Sequence, residues 1–147
     1  MFRGLFNGLL RAAVLTVFDA YMTMEVKPPG YHLLFTLLVL AVSLEDAWSA
    51  TLRNFLAYTL FDDLAYLWAA IPLGYSVDPY TWYRYQLGLL GWEKWWDADF
   101  FVKIPVYSWL MGLTVYARLT ALLALWLREK RLQNFVDNAF RAYTFPR

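Results

Sequence analysis

The chain has 147 residues, 61% hydrophobic and only 17% charged, with a net charge of +1. That length allows one compact unit, and the near-neutral balance removes the electrostatic case for nucleic acid as a partner. There is no cysteine, so disulfides, thiolate metal sites and cysteine nucleophiles are excluded.

Four segments approach membrane-spanning length. The first predicted helix covers residues 5–24. Arg11 and Asp19 interrupt its apolar run and no small-residue cleavage pattern follows, so it reads as a retained helix and not a signal peptide. Lys27, Pro28, Pro29 and Gly30 then stop it, because proline cannot continue a helix and biases its predecessor to extended backbone. The second predicted span, residues 31–50, has His32 at its mouth and Glu45 and Asp46 near its far end.

The third, residues 54–75, reads NFLAYTLFDDLAYLWAAIPLGY, with Asp62 and Asp63 side by side within it. Residues 76–103 are too polar to span yet rich in rings. Trp82, Tyr85, Leu89, Trp92 and Trp96 recur at three- or four-residue steps, which predicts an interfacial helix over residues 80–98. Trp82, Trp92, Trp95 and Trp96 are then its interfacial anchors, an apolar ring body with a polar tip suiting the membrane–water boundary. The fourth predicted span covers residues 104–127, with Pro105 at its start and Arg118 inside it. Beyond the basic run at Arg128, Lys130 and Arg131, an apolar stripe through Leu132, Phe135, Val136, Ala139 and Phe140 predicts an amphipathic tail over residues 129–143.

The fold expected is therefore an all-α integral membrane protein. It has four transmembrane helices, an interfacial aromatic helix and a C-terminal amphipathic helix. The positive-inside rule applied to the Arg128–Arg131 run, with Arg3 and Arg53, puts both termini in the cytoplasm.

Converting position to depth at about 1.5 Å per residue gathers Asp62, Asp63, Glu45, Asp46, Arg11 and Arg118 into one intramembrane band. Asp19 and His32 fall toward the outer side. A charge at the bilayer centre costs roughly 2.5–3.5 kcal/mol on insertion scales, so these acids need protons, partners or water, and Arg11 and Arg118 are the natural counter-charges.

The leading functional expectation is a non-catalytic subunit or scaffold of a membrane assembly. Its partners would be a lipid bilayer and homo- or hetero-oligomeric membrane proteins, and not nucleic acid. The first alternative is a proton- or cation-coupled transporter or channel that uses the intramembrane carboxylates; the second is a membrane-embedded enzyme acting on lipid. No catalytic residue is assigned, because G-x-S-x-G, phosphate-loop and dinucleotide motifs are all missing. The helix-borne Glu-x-x-His metal pattern is also missing, and nothing in the sequence names a cofactor.

Overall fold

A computed structural model of the chain describes residues 2–144, with side-chain surroundings described for residues 7–136. In chain order it contains α1 (Phe2–Tyr21), α2 (Tyr31–Ser43), α3 (Trp48–Ala70), α4 (Pro79–Gln86), β1 (Lys94–Asp99), β2 (Lys103–Tyr107) and α5 (Ser108–Thr144). A π-helical turn, Met22–Val26, extends α1 before Lys27 turns left-handed at φ 50° and the Pro28–Pro29 pair forbids further helix. Asp78 opens α4 as its N-cap, accepting from Thr81 N–H at 3.0 Å, with Pro79 in the first turn. Bonds from the Thr81 side chain and N–H hold the Asp78 carboxyl below the usual range.

The four-span, all-α expectation does not hold. Among the described residues, one helix is long and apolar enough to cross a membrane: α5, over Ser108–Val136. Only 17% of its apolar window is buried, whereas the core helix of a soluble domain would be mostly buried. The other three candidates fail for separate reasons. α1 carries Arg11 and Asp19, and α3 carries Arg53, Asp62 and Asp63. α2 is apolar but has only 13 residues, too few for a hydrocarbon core about 30 Å thick.

The second span was expected to run to residue 50, yet Leu44 is extended (φ −59°, ψ 130°). The Thr51 hydroxyl takes over the local backbone, accepting from Glu45 N–H at 2.9 Å and donating to Glu45 C=O at 3.2 Å.

The expected interfacial helix over residues 80–98 is three things. α4 stops at Gln86, Gly88 (φ 78°) and Gly91 (φ 59°) take left-handed turns, and β1 follows. β1 and β2 form an antiparallel hairpin, pairing Trp96 with Val106, Ala98 with Ile104 and Asp99 with Lys103, with a bulge between Lys94 and Trp96. The Trp, Phe and Val residues around its turn favour strand over helix. Pro105 sits in β2 and not at the start of a span. At the other end, Arg128–Arg131 does not separate a span from a tail. No Gly or Pro interrupts the run, and α5 continues unbroken to Thr144. Side chains of the expected tail from Asp137 onward lie outside the described residues.

α3 is the central element, touching α1, α2, α4 and α5. One core cluster joins Ala12 and Leu15 of α1, Val39 of α2 and Tyr58 of α3. A second joins Tyr85 of α4, Ala98 and Val106 of the hairpin and Met111 of α5. The hairpin is tied to both neighbours. Tyr85 Oη donates to Val106 C=O at 3.0 Å, and Ser108 Oγ donates to Tyr85 C=O at 2.9 Å while accepting from Leu90 N–H at 3.1 Å. Between the two clusters a cavity remains.

Candidate functional site: an acidic cavity with aromatic walls

The cavity has a volume of about 610 Å³ and draws its walls from α1, α2, α3, α4 and the hairpin. Three helices each contribute a pair of residues one turn apart, the spacing that puts side chains on one helical face. α1 and its π-helical extension supply Asp19 and Thr23, α3 supplies Asp62 and Tyr66, and α4 supplies Trp82 and Gln86. Thr23 Oγ1 and Tyr66 Oη join the first two at 2.6 Å. The Tyr66 and Trp82 rings stack with centroids 5.5 Å apart and planes 18° apart, joining the second to the third. Tyr75 stands edge-on to both, at 6.1 Å from Tyr66 and 5.9 Å from Trp82.

Carboxyl groups outnumber cations here. Asp63 is paired with Arg118, whose guanidinium is also held by its own helix through Thr114 C=O at 3.0 Å and Thr114 Oγ1 at 3.1 Å. Asp19 accepts from the Tyr31 hydroxyl. Asp62 is 7% exposed and feels the charges of Asp19 and Asp63, opposed by the Thr16 hydroxyl and the Arg118 charge, while its Oδ1 has no hydrogen-bond partner. Two more buried atoms on the same walls lack partners: Trp82 Nε1, a donor, and Gln86 Oε1, an acceptor. Buried polar atoms are normally satisfied. All three atoms are closed off inside the cavity's walls and do not face the open space.

Exposed Lys27 and Phe100 mark the cavity's opening. His32 stands beside them, its ring 4.6 Å from that of Trp96, and its Nδ1 accepts from Asp99 N–H at 2.8 Å. Burial lowers the His32 pKa, against the opposing pull of the Asp99 carboxylate. The neutral ring with a free Nδ1 lone pair suits that bond. Asp99 Oδ1 in turn accepts from Gly30 N–H at 3.1 Å and Phe101 N–H at 2.9 Å, clamping the hairpin turn to the α1–α2 loop. Gly30 (φ 67°) lies under the Phe101 ring, with no room for a Cβ.

No family model, curated protein or solved structure matches this chain.

The residues expected to form one charged band are divided. Asp62, Asp63, Asp19 and His32 line the cavity, and Arg118 reaches it through Asp63. Arg11, Glu45 and Asp46 are exposed and elsewhere; Glu45 Oε1 accepts from Asn54 Nδ2 at 3.2 Å. Of the four tryptophans read as anchors, Trp92 is exposed against Trp109 and Tyr107. Trp82, Trp95 and Trp96 line the cavity, with Trp95 Nε1 donating to Tyr75 Oη at 3.2 Å.

Tyr66, Tyr75, Thr23 and Gln86 were not singled out from the sequence. The four-residue steps from Asp62 to Tyr66 and from Trp82 to Gln86 were the available signal. Among the described residues, no three His, Asp or Glu side chains converge as a metal-binding set.

Proposed function

We propose that this protein is a small membrane-anchored component that takes up a cation in the cavity around Asp19, Asp62 and Asp63. One observation carries the reading: Asp19, Asp62 and Asp63 line one cavity, and the guanidinium of Arg118 is bonded to Asp63. A carboxylate in a low-dielectric site beside like charges needs a proton, a cation or water, and here one arginine, bonded to Asp63, is set against three carboxyls.

α5 is the membrane-crossing element of this reading. The Arg128–Arg131 run near its end favours a cytoplasmic carboxyl-terminal side. Placing both termini on one side needed an even number of spans and loses its basis. Intrinsic fluorescence tests the uptake, because Trp82, Trp95 and Trp96 all line the cavity. Purified protein in mild detergent is titrated with acid, sodium, magnesium and a simple alkylammonium. At least one should give a saturable change that Asp62→Asn abolishes. A wild type indifferent to all four sinks the reading.

A second reading, a subunit of a larger membrane assembly, is favoured by the outward surface. Leu9, Leu10, Val14, Val17 and Phe18 of α1 and Leu33, Leu34, Leu37, Leu38 and Leu40 of α2 are exposed, while Thr16, Asp19, Ser43 and Asp62 are buried. An apolar exterior around polar interior groups is covered by lipid or by other apolar helices. Light scattering after gentle detergent extraction should then report a mass above one chain of 17.3 kDa plus micelle. A monomer free of other proteins would go against it.

A further inference from the structure

We propose that the contact between the hairpin turn and the α1–α2 loop is a pH-sensitive latch on the cavity, held shut by neutral His32 and released when that ring takes a proton. The latch does not depend on what the cavity takes up.

The mouth of the cavity is a seam. One lip is the hairpin, with Trp95, Trp96 and Phe100; the other is the α1–α2 loop and the start of α2, with Lys27, Pro28 and His32. At its base the hairpin is fastened to α4 through Tyr85 and Ser108. At its turn, among the described residues, two hydrogen bonds cross the seam, and both end on Asp99. Its N–H donates to His32 Nδ1 at 2.8 Å, and its Oδ1 accepts from Gly30 N–H at 3.1 Å. The rest is ring contact: His32 lies 4.6 Å from Trp96 and 6.0 Å from Phe100, and Phe101 covers Gly30. The hairpin is thus fixed at one end and clasped at the other.

A backbone N–H can only donate, so the bond from Asp99 requires Nδ1 to carry no proton. An imidazolium donates from both nitrogens and accepts with neither. Protonation therefore sets two donors face to face and removes one of the two bonds. It also sets a positive ring beside the Asp99 carboxylate, whose Oδ1 holds the second bond. His32 is half-buried, so protons reach it, and burial lowers its pKa against the pull of Asp99. The latch is closed at neutral pH and opens as the pH falls below about 6.5, the ordinary histidine value. Other charged groups line the same cavity: Lys27 from the loop, Asp19 from α1, and Asp62 and Asp63 from α3, with Arg118 of α5 on Asp63. Asp19 is pushed up to about 7 by burial, so separating the two sensors needs a variant that silences His32 alone.

His32 is the only histidine in the chain, so its ring signals are unambiguous in protein purified without a histidine tag. Ring nitrogen chemical shifts should show the Nε2–H tautomer at neutral pH and a titration below the ordinary histidine range. The chain also lacks cysteine, so Met111→Cys, at a cavity-lining position 8% exposed, places a single thiol behind the seam. Its modification by a charged methanethiosulfonate is compared at each pH with the same thiol in a His32→Asn background, which cancels the titration of the thiol itself. Asn Oδ1 has the same place on Cγ as Nδ1 and accepts from an N–H at every pH. Across the His32 titration the ratio of the two rates should rise about five- to tenfold, the equilibrium worth of one hydrogen bond. His32→Ala, with no acceptor, should be modified fast already at neutral pH. Three results each overturn the proposal: a neutral ring protonated on Nδ1, the same acid response with and without His32, or slower modification in acid because the imidazolium tightens on the Asp99 carboxylate.

Discussion

Arg118→Leu is expected to destabilise the protein by about 3 kcal/mol, the low end of the range for stranding one partner of a buried ion pair. The Arg118 side chain is 14% exposed and that of Asp63 is 26% exposed, so the pair is largely but not wholly withdrawn from solvent. Asp63 would be left in the cavity with Asp19 and Asp62 and no cation opposite. The guanidinium is also held by Thr114, so its own helix presets its direction and little ordering is lost when the pair forms. The double variant Arg118→Leu/Asp63→Leu should recover most of the loss, because an ion pair replaced by apolar groups of similar volume is often neutral. Thermal unfolding of the two single variants and the double variant in detergent gives the coupling directly. An Arg118→Leu protein within about 0.5 kcal/mol of wild type, the range of ordinary surface changes, would show that the pair holds nothing together.

The second large effect is expected at the crossing of α4 and α5. A Cβ on Gly112 would lie 2.7 Å from Gly88 Cα, 2.7 Å from Leu87 O and 2.8 Å from Gly88 N. All three are backbone atoms, so relief requires moving a main chain and not a side-chain tip. Gly88 faces it at φ 78°, with its own Cβ direction 3.1 Å from Gly112 Cα. Gly112→Ala should cost about 1–3 kcal/mol, the usual penalty for overpacking, and Gly112→Val more. α4 carries Trp82 and Gln86, so any ligand of the cavity should also bind more weakly. Gly8→Ala is the control. Gly8 sits in α1 with nothing within 4 Å of its would-be Cβ, and alanine there should be neutral or stabilising by about 0.5–1 kcal/mol. If both alanines melt alike, the close crossing is not a constraint.

Both expectations arise where the chain departs from a simple reading of its periodicity. Reading depth from position placed Asp19 toward the outer side, apart from the band that holds Asp62, because the third helix was taken to begin near Asn54. It begins at Trp48, which puts Asp62 in its second half, level with the end of α1. The same reckoning has no azimuth. Arg11 and Asp62 can share a depth while one faces outward and the other inward. The aromatic steps from Trp82 to Trp96 fitted a helical face, but a spacing count ignores what two left-handed glycines do to a backbone. Gly88 and Gly91 turn the chain, and Trp95 and Trp96 beyond them reach the cavity from a strand.

Sequence alone determined that the chain is apolar, that α5 can cross a membrane, that Pro28 and Pro29 break it early, and that Asp62 and Asp63 need company. These follow from composition and from local backbone rules. Only the tertiary structure decided which company. It chose Arg118 for Asp63, brought Asp19 to Asp62, left Arg11, Glu45 and Asp46 outside, and set Trp82, Trp95 and Trp96 in the walls of one cavity. Pairing depends on helix rotation and crossing, which are set by side-chain packing and by close approaches such as Gly88 against Gly112. No periodicity along one segment contains that information.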